Sequence, residues 1–388
     1  MFKQKLIKLL YLFVLSKKVL TKPPKKKILI FDSDDSEKLI KYLNKKNVEV
    51  MDMRMLYEAN QRLNIYILLK CFLNFKFSIK EYLEEYVRAV NPKLLITLTD
   101  NYPIFYHLHK VNKKMTTAIV QKSFRSYTES DILSRLDKLR KIKDYHCDYL
   151  LMFNTEIGKI FKSFLNGKII PIGSFRSNFV LKKKKIKKEI DLLFISVWRR
   201  PPFINKTEDL IFFENLKKYC KKKNLTLQVL GACRVTADYT IKSYMYQKME
   251  YDYYTKHLGS YMKKFIYRDK NRNSYEYVDK SNIILSIDST LGYEACSRKN
   301  KVAFFSIRKR NYPHYSMQFG WPVNKKFGKG RFWTDKNTFK ELSRILNFLR
   351  KHKGENFKEM RNIMTFDEGN KKFLTFIKKI STSKIGQI

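Results

Sequence analysis

The stretch Y275-EYVDKSNIILSIDSTLGYEACSRKNKVAFF-305 decides how the chain is read. It parses as a short helix, an apolar strand (Asn282 to Ile287), a polar turn, a helix opening near Thr290, and a second apolar strand (Lys301 to Phe305). The turn Asp288-Ser289-Thr290 lies where a strand hands over to a helix. Backbone N–H groups without intrahelical acceptors and the positive end of a helix dipole coincide there. Such a corner suits a diphosphate. Glu294 follows one turn later, within reach of a ribose hydroxyl of a nucleotide held there. The competing reading is local: Ser, Thr and Asp are also ordinary N-caps, and a Glu three residues after the cap would complete a capping box. The residue three before Glu294 is Leu291, which has no capping oxygen, so Glu294 is not accounted for by helix chemistry.

Working outward, the same alternation continues. KILIF (27–31) reads as a strand, followed by a helix from Ser36 to Asn44 and a strand from Val48 to Met51. Helical patterns span Tyr57 to Phe72 and Ile79 to Val90. LLITL (94–98), TTAIVQ (116–121), DYLLMF (148–153) and KIIPIG (168–173) are continuous apolar runs, the mark of strands buried on both faces, with a polar helix expected over Asp131 to Lys143. After FVLKKKKIKKE (179–189), with six lysines, a second series starts at DLLFISV (191–197). It continues with a helix over Glu208 to Lys222, LTLQVLG (225–231), a Tyr-rich helix near 240–256 and the opening stretch, and closes on helices over Thr338 to Lys351 and Phe357 to Lys379. Strands alternating with helices predict βαβ units and mostly parallel sheets. The expected layout is a basic leader (1–26), an N-terminal Rossmann-like domain (27–178), a Lys-rich linker (179–190), a C-terminal Rossmann-like domain (191–353), and a terminal helix and tail (354–388).

LLITLTDNYPIFYHL (94–108), DYLLMFNTEIGKIF (148–161), IIPIGSFRSN (169–178), LLFISVWR (192–199), the SIDSTLGYEA block and QFGWP (318–322) together resemble a family of bacterial surface-polysaccharide (O-antigen) biosynthesis proteins, which are GT-B-like glycosyltransferases. The resemblance runs over roughly residues 27–350. It implies a GT-B-like α/β fold, two Rossmann-like domains facing a central cleft, with the C-terminal helix crossing back to the first. It also implies transfer of a sugar from a nucleotide-sugar co-substrate to a glycan or lipid-linked acceptor, without a resident cofactor.

Under that expectation, residues at strand C-termini become candidates. On the donor side these are Arg199, for a forked contact to the diphosphate, Gly231, Arg234, Asp288, Ser289, Thr290 and Glu294. Arg199 also reads as a solvated arginine beside Arg200, and Gly231 as a turn glycine. In the first half, Asp100 ends a buried strand and could act as general base, or cap a helix starting near Tyr102 with Pro103 at an early position. Asn101, Gln121, Arg125 and Ser174 are acceptor-side candidates. Asp32, Asp34 and Asp35 are rival bases. No DxD occurs on the donor-side strands, so a metal-independent transfer is expected, although Asp32-Ser33-Asp34 keeps a DxD reading open. Trp321 in QFGWP reads as domain packing or as a base-stacking indole.

Composition sets the outer limits. With 388 residues, 81 Lys+Arg against 36 Asp+Glu and a net charge of +45, the chain calls for two domains and attracts anionic partners at long range. An AT-rich genome accounts for part of the lysine excess. The five cysteines (Cys71, Cys147, Cys220, Cys233, Cys296) have no CxxC spacing, which excludes a disulfide framework or zinc cluster as first reading and suits a reducing cytoplasm. The leader MFKQKLIKLLYLFVLSKKVLTKPPKKK holds nine lysines and no acid. Its apolar run, Leu9 to Leu15, is far shorter than the ~20 residues of a membrane span. Leu6, Leu9, Leu10, Phe13 and Val14 share one helical face, so an interfacial helix on the inner face of the cytoplasmic membrane is expected, a disordered basic leader being the alternative. A nucleic-acid-binding protein is the rival from another class. The lysines lie in runs instead of lining an aromatic-studded surface, so no specific nucleic acid is expected. Within enzymes, the alternative is a CDP-alcohol phosphotransferase, whose histidine-centred motifs are missing.

Overall fold

A computed structural model describes residues 14, 16–33, 35–52, 62–124, 145–183, 185–198, 206–234, 241–268, 273–287, 289–309, 328–352 and 364–382. Its elements, in chain order, are β1 (Lys17–Val19), β2 (Ile28–Phe31), α1 (Ser36–Ile40), β3 (Val48–Met51), β4 (Arg62–Asn64), α2 (Ile65–Leu73), α3 (Ile79–Val90), β5 (Leu94–Thr97), β6 (Thr116–Val120), β7 (His146–Met152), α4 (Thr155–Lys162), β8 (Asn166–Pro171) and α5 (Phe175–Phe179), then β9 (Ile190–Ile195), α6 (Lys206–Lys223), β10 (Leu227–Arg234), α7 (Ile241–Leu258), β11 (Met262–Arg268), α8 (Ser274–Lys280), β12 (Ser281–Ser286), α9 (Thr290–Ser297), β13 (Val302–Phe305), β14 (Trp333–Thr334), α10 (Phe339–Lys351) and α11 (Lys371–Thr382). The chain divides into two compact units, one holding Met1–Lys122, Ser130–Phe179 and Asn370–Ile388, the other Ser123–Glu129 and Val180–Gly369.

The first unit is built on a six-stranded sheet of order β3-β2-β5-β6-β7-β8, parallel throughout. Its central strands are apolar on both faces, as the continuous runs predict: β2, β5 and β6 are buried at every position. α11 belongs to this unit, so the end of the chain returns to it. Phe373, Phe376 and Ile380 of α11 join Ile30, Ile96 and Val120 in one apolar cluster. The Asn370 amide donates to the Phe175 carbonyl (3.0 Å) just before that helix begins. Outside the sheet, β1 pairs in parallel with β4.

The second unit repeats the plan in the order β11-β10-β9-β12-β13-β14, again parallel throughout. Both units stitch the start of one strand to its neighbour with the same device. Asp148 accepts from the Thr117 N–H (2.7 Å) and hydroxyl (2.8 Å), and Asp191 accepts from the Thr226 N–H (2.9 Å) and hydroxyl (2.7 Å).

Several elements differ from the sequence expectation. The helix expected from Tyr57 begins only at Ile65: residues 62–64 are drawn into β4, and Asn64 caps α2 by accepting from the Ile67 N–H at 3.0 Å. α1 stops at Ile40, short of Asn44. The helix expected from Phe357 to Lys379 is not continuous: residues 364–367 are non-helical, and Gly369 stands at φ 74°, so α11 starts at Lys371. β11 and β14 are additional strands on the two sheet edges. The Lys-rich segment after Phe179 is held against the second unit. Arg298, fully buried, pairs with Asp279 and donates to the Val180 carbonyl at 2.8 Å, while Lys182 bonds the Arg298 carbonyl. The expected helix over 131–143, the QFGWP loop and most of the leader lie outside the described residues. No described helix is long and apolar enough to cross a membrane.

Candidate functional site

In the second unit the strand order runs 3-2-1-4-5-6, counted from β9, and reverses between β9 and β12. Loops leaving adjacent strands at such a reversal diverge to opposite faces and open a crevice at the strand C-termini. The corner singled out in the sequence stands at that place. β12 ends at Ser286, and α9 opens at Thr290. Ser289, Thr290 and Leu291 are half-exposed, so the helix start is not sealed.

Ser289 is the N-cap, and its side chain accepts from the Leu291 N–H at 3.3 Å. The Gly292 N–H bonds the Ser289 carbonyl at 3.1 Å. The Thr290 hydroxyl accepts from the Phe124 N–H at 3.3 Å, and the Phe124 ring lies 4.3 Å from that of Tyr293. Glu294 is on α9 as expected, but 95 % of its surface is covered, leaving 5 % exposed. Gly292, which sequence reasoning passed over, sets how closely α9 packs on β12. A Cβ there would stand 2.3 Å from Ser286 Oγ and 2.6 Å from Ser286 Cβ, so α9 crosses β12 at a separation only glycine allows.

A buried hydrogen-bond network fixes the other wall of the crevice. Glu250 on α7 is fully buried. It accepts from the Ser196 hydroxyl and from the N–H groups of Ala232 (2.7 Å) and Cys233 (2.9 Å). Tyr254, one turn on, receives the Val197 N–H at 2.9 Å and shares a hydrogen bond with Ser196 at 3.0 Å. One helix thereby ties down the C-terminal ends of both β9 and β10. Burial, followed by the Glu250 charge, pushes the Tyr254 phenol well above its ordinary pKa, so it stays a neutral donor. Gly231 lies inside β10, not in a turn; a Cβ there would meet Phe265 at 2.9 Å and the Glu250 carboxylate at 3.3 Å. Arg308 extends the network by pairing with buried Asp209 and donating to the Val197 carbonyl at 2.9 Å.

In the first unit, Asp32 follows β2 at φ 83° and accepts from the Thr99 hydroxyl at 2.7 Å. Asp35 is ringed by Lys38, Lys122 and Arg176. Burial pushes its carboxyl up, but Arg176, Lys122 and Lys38 outweigh burial and hold it well below the usual carboxylate range. A carboxylate so stabilised in its charged form is a weaker proton acceptor than an ordinary one. Asp100 is fully buried after β5. The following segment, Pro103–Val111, is a 3₁₀ helix whose N-cap position is Tyr102, and the Asp100 carbonyl receives the Tyr106 hydroxyl at 2.6 Å. Asn101 is half-exposed beside it. Gln121 and Ser174 are buried with side chains engaged locally, Gln121 accepting from the Phe153 N–H (2.9 Å) and Ser174 from the Ser177 N–H (3.3 Å). Asp34, Arg125, Arg199, Asp288, Trp321 and the Arg234 side chain lie outside the described residues.

The two parallel sheets and the crevice in the second define an α/β protein of the GT-B fold. Among solved structures, the chain is similar to the UDP-GlcNAc 2-epimerase of Methanocaldococcus jannaschii, solved with UDP-GlcNAc and UDP. The TM-score is 0.53 at 12 % identity, covering 92 % of this chain and 99 % of that one. It is also similar to an H444N variant of the wall teichoic acid polymerase TagF, with TM-score 0.54 and 11 % identity over 93 % of this chain and 90 % of that one. Comparison with curated proteins finds no match. Residues 118–381 match the family described as "putative O-antigen biosynthesis protein", and the chain belongs to that family.

Proposed function

We propose that the chain is a glycosyltransferase, moving a sugar from a nucleotide-sugar donor to a surface-polysaccharide or O-antigen acceptor. One observation carries this reading: the reversal of strand order between β9 and β12 coincides with a half-exposed helix N-terminus at Ser289 and Thr290. The donor diphosphate meets the first amides of α9 and the main chain of Asp288, helped by Arg199 and Arg234, and Glu294 takes the ribose. The positive groups are main-chain amides and arginines, so transfer proceeds without a metal. Asp100 is the proposed base, with Asn101, Gln121, Arg125 and Ser174 shaping the acceptor side; a base as enclosed as Asp100 requires the acceptor hydroxyl to enter the same enclosure. The acceptor is a glycan or lipid-linked glycan, and the enzyme works as a peripheral protein at the inner face of the cytoplasmic membrane.

Thermal stabilisation by a panel of nucleotides and nucleotide-sugars tests the donor pocket. A ligand at 100 times its dissociation constant adds about 2.7 kcal/mol. Glu294→Ala should remove most of the stabilisation by the best donor, and an unchanged affinity would discard the pocket. Likeness to the 2-epimerase favours a second reading, epimerisation of the sugar while still on its nucleotide. Donor incubated without acceptor separates the two, because an epimerase changes the sugar and a transferase leaves it intact.

A further inference from the structure

The hairpin of α2 and α3 presents an apolar tip that the fold does not use. Phe75 is 84 % exposed, Leu73 76 %, Phe77 67 %, Phe72 65 % and Leu69 57 %. Those five side chains present on the order of 600 Å² of apolar surface, at the top of the range for the largest patch on a monomer. The tip is held firmly. Lys76 N–H bonds the Cys71 carbonyl (2.9 Å), Phe75 N–H bonds the Phe72 carbonyl (3.0 Å), and Ser78 and Glu81 form a capping box at the start of α3. Phe72 and Phe77 meet edge to face at 6.0 Å. Phe75 takes φ 55°, a conformation costly for a bulky residue, with almost no packing around its ring.

Charge identifies the partner. No acid occurs from Ala59 to Lys80, where Arg62, Lys70, Lys76 and Lys80 lie. Lys70, Lys76 and Arg88 converge on the buried carboxylate of Glu85, Lys80 and Arg88 also reach Glu84, and Glu81 is engaged by Ser78, so Lys70, Lys76, Lys80 and Arg88 outnumber Glu81, Glu84 and Glu85 by one positive charge. β1, next to α2, brings Lys17, Lys18 and a 74 % exposed Leu20. Aromatic and aliphatic side chains projecting from a rigid turn, with lysines behind them, match the boundary of an anionic bilayer.

We propose that the α2–α3 tip inserts into the headgroup layer of an anionic membrane, Phe72, Phe75 and Phe77 entering the acyl boundary and the lysines meeting lipid phosphates. The proposal deepens the membrane part of the function above, and its test needs no donor, so its failure would leave the nucleotide pocket standing. Full-length protein is floated with phosphatidylcholine vesicles, with and without phosphatidylglycerol, at ~0.1 M and ~0.5 M salt. Wild type should bind the anionic vesicles and keep part of that binding at high salt. The triple variant Phe72→Ser/Phe75→Ser/Phe77→Ser should bind at least tenfold more weakly with an unchanged melting temperature. A Phe75→Trp variant should show blue-shifted emission on anionic vesicles only. Absence of wild-type binding, or equal binding by the triple variant, which would place the contact in the basic leader, overturns the proposal. So does self-association by light scattering that the triple variant abolishes without any change in vesicle binding.

Discussion

Replacing Gly292 by alanine puts the proposed donor corner under a measurable strain. The new Cβ would stand 2.6 Å from Ser286 Cβ and 2.3 Å from Ser286 Oγ, with Phe304 Cε1 at 3.2 Å, whereas ordinary contact begins at 3.4 Å. The hydroxyl can rotate away, but Ser286 Cβ is fixed to β12, so α9 must lift by about 1 Å. Overpacking of this kind typically costs about 1–3 kcal/mol. The shift starts two residues beyond Thr290, so it is delivered to the first amides of the helix, and a misplacement of that size can cost on the order of 100-fold in a positioned site. Gly292→Ala should therefore destabilise the second unit by about 2 kcal/mol and weaken donor binding at least tenfold. Ser286→Gly removes both clashing atoms, and its own cost is about 0.5–1 kcal/mol for glycine in a strand. The double variant should recover at least half of the stability lost in Gly292→Ala, a coupling of about 1 kcal/mol or more. The assay is urea unfolding followed by tryptophan fluorescence, because Trp198, Trp321 and Trp333 all fall in the sequence range of the second unit. Calorimetric titration of the donor accompanies it. A fully stable Gly292→Ala protein, or strictly additive effects in the double variant, would refute the close crossing of α9 over β12.

Two further outcomes are expected. Burial pushes Glu85 up, but hydrogen bonds from Lys70, Lys76 and Arg88 overcome it and hold the carboxyl at about 2, and Asp35 is likewise held low. The unfolded chain binds these protons first, near the ordinary values of about 3.9–4.3, so their stabilisation is complete above about pH 5 and drains as pH falls below it. Melting temperature should drop steeply below pH 5, and Glu85→Gln should lower it at neutral pH while flattening the acid limb; an unchanged limb would count against the cation cluster. Glu250→Ala strips the acceptor from Ser196 and from two strand-end N–H groups, and should cost roughly 2–5 kcal/mol, while Glu250→Gln, which keeps the shape but turns one acceptor into a donor, should cost about half of that. Equal stability of wild type and Glu250→Ala, by the same fluorescence assay, would show that water replaces the carboxylate.

What the sequence made legible follows the physics of burial. Parallel strands covered on both faces carry continuous apolar stretches, so β2 (ILIF), β5 (LLI), β6 (AIV), β9 (LLFI) and β12 (IIL) stand out as runs. β11 escapes that signal because an edge strand needs apolar residues only where it touches the sheet: MKKFIYR buries Phe265 and Ile266 and leaves both lysines in water. The site divides the same way. Ser289 and Glu294 are visible because strand, turn and helix are contiguous in sequence. Glu250 sits in a Tyr-rich helix with no motif, and its partners at Ser196, Ala232 and Cys233 are distant along the chain; nothing local marks it. Gly292 looks like an unexceptional helix glycine until Ser286, six residues earlier, is seen beneath it. Of the cations around Asp35, Lys38 is local, but Lys122 and Arg176 come from distant positions that only the sheet brings together.

The two readings of the corner, N-cap and ligand site, also prove to be compatible. A helix start leaves four N–H groups without intrahelical partners. In α9, the Leu291 N–H goes to the Ser289 side chain and the Gly292 N–H to the Ser289 carbonyl. The cap thus serves the inner two amides and fixes the first turn. The diphosphate proposed here meets the outer two, those of Ser289 and Thr290, at the end of the helix dipole where an anion gains most. Ser289→Ala separates the roles: it removes the cap to Leu291 but keeps both outer amides. Stability should fall by about 1 kcal/mol, with donor affinity reduced only as far as the frayed first turn misplaces those amides. A complete loss of donor binding in a stably folded Ser289→Ala protein would mean that the serine hydroxyl itself, and not the main chain, holds the phosphate.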